Sequence, residues 1–305
     1  MPLNHFQKAF ILMCISSLAG ALIAVSMKAL SFHLSIAVIF FFTRVFILVG
    51  ALLTILKHKK SLLKSENKIK IVIISIFYIV AMYCYLYSLT MIPMSISSVF
   101  ANSAPLYVPL LAYFIVDDDS IKSKKLWLCM MVSFLGICLI LMPMQKMHAS
   151  FFGMIIAFLS GLFLAFWQVL TKKTTANESP QKIAFFQMIA SIVFTAIPAV
   201  YIISLHGVNY LNGLWTIKNM SMLVLAGICS WIYQLYRTQA MSYAPVSFVM
   251  PFGYLGVVFV GLFDFIFWNM VPHWISVVGI LLVMSGVVML LRVSNTRPPT
   301  LKFEQ

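Results

Sequence analysis

Ten apolar runs, each close to the length that hydrocarbon demands, divide this sequence. A helix needs about 20 mainly apolar residues to cross a bilayer. Charge and turn clusters mark the runs at 9–30, 36–56, 70–91, 95–116, 126–142, 152–171, 183–204, 219–241, 246–268 and 272–291. Barrel strands are short and alternate apolar with polar residues, so run length predicts helices. Composition agrees: 62% of the 305 residues are hydrophobic and 9% are charged. A soluble core of this size cannot hide that much apolar surface. The fold class expected is all-α and polytopic, with lipid as the solvent for the outside.

The net charge is +14. On a soluble chain that would suggest nucleic acid, but no nucleic-acid-binding motif accompanies it, and the basic residues sit between apolar runs. With the N-terminus inside, one face receives Lys8, Lys57, Lys59, Lys60, Lys64, Lys68, Lys70, Lys122, Lys124, Lys125, Lys172, Lys173, Lys182, Arg237, Arg292, Arg297 and Lys302. The other receives Lys28, Lys146 and Lys218, and Arg44 lies within a span. This asymmetry predicts a multi-pass protein of the cytoplasmic (inner) membrane with both termini in the cytoplasm. The lysines from Lys57 to Lys70 read as a positive-inside loop. The first run is too long for a signal-peptide core and is expected to be retained. Cys14, Cys84, Cys129, Cys138 and Cys229 all fall inside runs without a C-x-x-C, so they read as packing residues, not disulfides or metal ligands.

The two halves of the chain echo each other. Leu18-Ala19-Gly20 aligns with Leu159-Ser160-Gly161, Thr90 to Ser95 with Ser242 to Ser247, Phe100-Ala101 with Phe252-Gly253, and Gly136-Ile137 with Gly286-Val287. Four pairings in one order indicate an internal repeat. The domains expected are five-helix repeats at 9–142 and 152–292, with a cytoplasmic tail at 293–305. Five is odd, so the second copy enters the membrane from the opposite side. Inverted repeats are a recurring architecture of secondary transporters, with the binding site near the midplane.

Pro251-Phe252-Gly253-Tyr254-Leu255, then Phe267-Trp268-Asn269-Met270-Val271-Pro272, then Gly279 and Ser285-Gly286, resemble the second-repeat signature of the drug/metabolite transporter superfamily, EamA type. Phe40-Phe41-Phe42-Thr43-Arg44 is similar to that family's aromatic-Arg segment, and Tyr87-Ser88-Leu89 with Ala104-Pro105 to its passage between the third and fourth helices. The resemblance implies ten helices and transport of amino acids, other metabolites, nucleotide-like compounds or drugs. The sequence departs at Trp268-Asn269, where the family usually carries Gly-Glu or Asn-Glu, and Asp117-Asp118-Asp119 stands in the matching place after the fourth helix. These positions are read as loop structure.

Ionisable side chains inside a span are costly and point to function. Arg44 lies about 12 Å from the outer end of its helix at 1.5 Å per residue. It reads either as a cavity cation for a carboxylate or phosphate or as an anchor bonded to helix-end carbonyls or paired with Asp264. Asp264, the one carboxylate within a span, reads either as a coupling group or as an interfacial residue reaching solvent. Arg237 sits near the cytoplasmic end of the eighth span and is explained by positive-inside placement. Polar stripes run through Ser95, Ser98 and Asn102 on the fourth span, Gln187, Ser191 and Thr195 on the seventh, and Ser230, Gln234 and Arg237 on the eighth, while Tyr83 and Tyr87 share a face of the third. Such faces turn from lipid. On the third, fourth, seventh and eighth spans together they suggest a central cavity, with the fifth and tenth spans peripheral. Trp167, Gln168, Trp231, Tyr233 and Tyr254 are candidate aromatic and amide lining. Pro105 and Pro109 interrupt the fourth span, and Pro251 and Gly253 the ninth, in matching positions of the two repeats. Interruptions of this kind point to a binding site and to bending elements.

The function expected is secondary transport of a small anionic or zwitterionic metabolite, amino-acid-like or nucleoside-like, or of a drug. No Walker A sequence is present, and no cofactor or metal is expected. The partners are a small-molecule substrate and membrane lipid; assembly as a homodimer is left open. A membrane-embedded enzyme would need clustered His, Asp or Glu near an interface, which is lacking; a non-transporting scaffold is the other alternative.

Overall fold

The structure, a computed structural model, describes residues 5–30, 35–63, 67–88, 91–92, 94–141, 150–269 and 273–296. Among these the regular structure is helical throughout: α1 (His5–Leu30), α2 (Ile36–Leu63), α3 (Lys68–Ser88), α4 (Met94–Asn102), α5 (Ala104–Val116), α6 (Lys124–Leu141), α7 (Phe151–Thr174), α8 (Pro180–His206), α9 (Ile217–Tyr243), α10 (Val246–Val249), α11 (Leu255–Trp268) and α12 (Trp274–Thr296). In lipid each backbone N–H must be bonded within its own segment, which is why the apolar runs are helical. α4 with α5 forms the fourth span. α10, a 3-10 segment at Met250–Tyr254 and α11 form the ninth. Eight of the ten spans are long and apolar enough to cross a membrane by length and composition. Of the other two, α2 runs apolar from 36 to 56 in the sequence, and α9 carries Asn219, Ser230, Gln234, Arg237 and Thr238 among its buried residues.

The two halves interlock. α1 packs on α9, and α3 on α7; α5 packs on α7, and α1 on α11; α2 packs on α9, and α3 on α8. Exchanging the halves turns each contact into its partner. The α2–α8 and α6–α12 contacts map onto themselves. An inverted repeat with a two-fold relation produces this pairing. Neither half buries its apolar faces alone, so the repeats are units of sequence and not separately packed bodies.

Glycines set the closest crossings. A Cβ at Gly227 of α9 would strike the Phe46 carbonyl of α2, and one at Gly50 of α2 would sit 2.8 Å from the Ile228 Cα. α6 and α12 meet in the same way, with a Cβ at Gly136 falling 2.6 Å from the Gly279 carbonyl oxygen. Without a hydrophobic drive between helices in lipid, such close backbone contact is what joins them. The outward faces are apolar, as at Val193, Ile197 and Val200 on α8 and Leu281 on α12.

At the end assigned to the cytoplasm by charge, polar contacts tie the halves together. Asp118, just after α5, accepts from the Ser247 hydroxyl at 2.8 Å and from the Ser120 N–H at 3.0 Å. The Lys172 ammonium donates to the carbonyls of Met241 and Ala244 at 2.6 and 3.1 Å, which are left open where α9 ends before Pro245. Phe6, Met13, Val108, Phe248, Phe252 and Leu290 belong to the large apolar cluster on this side.

Candidate functional site

A small cavity lies among α2, α3, α7, α8 and α9, lined by Arg44, Ser75, Tyr78, Trp167, Gln187, Ser191, Tyr233 and Gln234. The close α2–α9 approach at Gly50 and Gly227 brings the helices of Arg44 and Gln234 together. Arg44 is 7% exposed. It donates to the Tyr78 hydroxyl at 3.2 Å, and its guanidinium lies 4.6 Å from the Phe40 ring centre and 5.7 Å from that of Tyr78. Its Nε has no hydrogen-bond partner, and among the described residues no carboxylate pairs with it. The reading of Arg44 as a partner of Asp264 falls outside the described residues, because the Asp264 side chain on α11 is not among them.

Another part of the lining is an amide relay. Gln234 donates to the Gln187 carbonyl oxygen at 3.1 Å, and Gln187 donates to the Thr171 hydroxyl at 3.1 Å. Trp167 also lines the cavity, its ring centre 4.9 Å from that of Tyr78. The result is a cation, two amides and three aromatic rings around one space, with hydroxyls from Ser75 and Ser191.

Arg237 departs from its sequence reading. It is 8% exposed, not spread at the membrane surface. Its Nη1 donates to the Tyr233 hydroxyl at 2.9 Å and its Nη2 meets the Met250 sulfur at 3.4 Å. The guanidinium lies 5.4 Å from the Tyr233 ring centre and 5.9 Å from that of Trp167, and its Nε is unpartnered. Positive-inside counting assigns a charge to an end of a helix but not to a face. The i, i+4, i+7 stripe with Ser230 and Gln234 is the signal that it points inward.

Of the other candidates, several stand away from this cavity. Tyr83 donates to the Phe194 carbonyl at 3.0 Å and braces α3 on α8. Tyr87 is 53% exposed. Trp231 packs with Ile47, Ala51, Ala184 and Met188 and donates to the Thr54 hydroxyl at 3.2 Å. Tyr254 packs with Ile137 and Val283, its hydroxyl without a partner. Gln168 is buried beside Trp167 with an unpartnered Oε1. Among its described side chains, which leave out Ser95, the fourth span contributes nothing to the wall, because their polar groups are spent locally: Asn102 donates to the Ser98 carbonyl at 2.8 Å, Ser98 bonds Tyr85 at 3.1 Å, and Ser97 accepts from Ser88 at 2.9 Å. Pro105 and Pro109 lie in α5, Pro251 and Gly253 in the 3-10 segment of the ninth span, and none of them lines the cavity. Tyr78 and Ser75, which do line it, are one helical turn apart on α3; the sequence reading followed Tyr83 and Tyr87 on another face instead.

The positions after the fourth and ninth spans match in backbone as well. Asp117 and Asn269 are the two non-glycine residues with positive φ among those described, each at 51°. They stand at the same repeat offset as Pro93 and Pro245. Left-handed geometry favours Gly, Asn or Asp at a helix end, so Asn269 has a structural reason to be there.

The model of the EamA-like transporter family matches residues 7–142 and 151–292. The pseudopaline exporter CntI of Pseudomonas aeruginosa is 25% identical over 209 residues, 68% of this chain and 70% of that protein. An S-adenosylmethionine uptake transporter of Rickettsia bellii is 23% identical over 282 residues, 91% of this chain and 90% of that protein. A solved crystal structure superposes with a TM-score of 0.76 at 14% identity, covering 94% of this chain and 98% of its own, which shows a shared fold.

Proposed function

The chain belongs to the EamA-like transporter family, and on that premise we propose that it moves a small anionic or zwitterionic organic solute through the cavity beside Arg44 by alternating access. It is a multi-pass membrane transporter of that family; the solute's charge, the cycle and the site are our reading. One observation carries it. Arg44 lines a cavity within the membrane span, is nearly fully buried, and keeps an unpartnered Nε. Burying an isolated cation costs several kcal/mol, and a carboxylate or phosphate arriving in the cavity offsets that cost through a paired hydrogen bond. Trp167, Tyr78, Gln187 and Gln234 then orient the remainder of the solute.

Alternating access is supported by the interlocked, two-fold-related halves, which can rock about the shared α2–α8 and α6–α12 contacts. The charge distribution favours both termini in the cytoplasm of a cell's inner membrane. Of the two relatives named above, one is named an exporter and the other an uptake transporter, so direction is left to measurement.

The test begins with comparing metabolites in cells that lack and that overproduce the protein. The differing solute is then followed into proteoliposomes. Arg44→Ala is expected to abolish flux with folding intact. Arg44→Lys, which keeps charge but not the planar fork, is expected to retain a small part. A substrate that is exclusively cationic would overturn the reading.

A further inference from the structure

Two arginines, not one, face the cavity's aromatic wall, and each is bonded to a tyrosine. Arg44 of α2 donates to the Tyr78 hydroxyl, and Arg237 of α9 donates to the Tyr233 hydroxyl. Both tyrosines line the cavity. A phenol that accepts from a guanidinium keeps its own proton to donate, and the neighbouring charge makes it a stronger donor. The Tyr78 and Trp167 rings touch, with Arg44 against the first and Arg237 against the second. Arg44 therefore lies at the Tyr78 end of this ring pair, and the Arg237–Tyr233 pair at its Trp167 end.

Charge balance decides between one acidic group and two. Each guanidinium is buried, each has an unpartnered Nε, and among the described residues neither has a carboxylate partner. Ring faces offset part of the cost of a buried cation, and a thioether is a weak acceptor. A monoanion bound at Arg44 would leave Arg237 uncompensated. We infer that the transported solute carries two separated acidic groups, one received by Arg44 with Tyr78 and the other by Tyr233 backed by Arg237. Arg237 acts through the phenol and positions it. This rests on the reading that the cavity binds an anion, and adds the number and placement of its charges.

The purified full-length protein in lipid nanodiscs, titrated with butyrate, succinate, glutarate and adipate, tests this. A second charge-assisted hydrogen bond corresponds to about 10- to 100-fold in affinity, so at least one of the dicarboxylates is expected to bind that much more tightly than butyrate. Arg237→Gln is expected to collapse this preference, and Tyr233→Phe to reduce it several-fold. Arg44→Gln is expected to weaken all four probes. Dicarboxylates that bind no tighter than butyrate would overturn the inference while butyrate binding through Arg44 leaves the anion reading standing. Equal weakening of butyrate and dicarboxylates by Arg237→Gln would also overturn it, as a merely structural role. If Arg237→Gln fails to fold, Arg237→Lys and Tyr233→Phe carry the same comparison. Failure of every probe to bind would sink the anion reading and this inference together.

Discussion

The fourth and ninth spans are broken at matching positions, yet the two breaks are held in different ways. In the fourth span the break is self-contained. Asn102 returns to the Ser98 carbonyl, and Ser103 donates to the Phe100 carbonyl at 2.6 Å and bonds the Tyr107 hydroxyl at 3.0 Å. It rests on α7, where Gly161 lies directly under the Phe100 carbonyl. In the ninth span the 3-10 segment leans on the rest of the protein. The Ser17 hydroxyl of α1 reaches the Phe252 carbonyl at 3.4 Å, Met250 meets Arg237, and Gly253 faces the same guanidinium. One copy has turned its interruption into packing. The other has set it against Arg237, which bonds the cavity-lining Tyr233, so the ninth span touches the site's surroundings where the fourth does not.

Substitutions can break this contrast. The largest effect is expected from Gly161→Val, whose new atoms fall on the Phe100 carbonyl and within 3.1 Å of the Ser103 hydroxyl. Overpacking of this kind costs about 3 kcal/mol, read as a lower thermal midpoint in detergent. Gly253→Leu should act the other way. The space around a Cβ there is ordinary, 3.7 Å to the Arg237 Nη1, so Gly253→Ala fits, whereas a leucine displaces the guanidinium. Flux is expected to fall about tenfold, equivalent to about 1.4 kcal/mol, with little change in thermal midpoint. Equal loss of stability in the two variants would erase the distinction.

Asn102→Ala sharpens the comparison further. It removes one local hydrogen bond and is expected to cost about 1 kcal/mol of stability without changing the ligand preference of the cavity. Smallest of all, Asp117→Gly and Asn269→Gly each relieve a left-handed backbone at φ 51°, and a gain of about 0.5 kcal/mol is expected from each. Opposite signs at these two positions would show that the span ends are not structural equivalents.

Much of the architecture was legible in the sequence because hydrocarbon imposes simple rules. Run length and backbone satisfaction produce helices, and Pro93 with Pro245 reveals the repeat before any coordinates. Arg44, Trp167, Gln187 and Gln234 were legible for a related reason: polar side chains on apolar helices have few places to go, and all four line the cavity. The same rule could not separate a cavity from an interhelical bond. Asn102 and Tyr83 are polar and inward, yet each is consumed by a neighbouring carbonyl.

What sequence determined alone, then, is that this chain lives in lipid as two related five-span halves, because the period and length of apolar runs are one-dimensional quantities. Only the tertiary structure decided which polar faces meet. Tyr78 became a wall of the cavity, and Arg237 a buried partner of Tyr233, because close crossings such as Gly50 on Gly227 fix how the helices are turned toward one another. That rotation depends on contacts between residues far apart in the chain, and no local pattern encodes it.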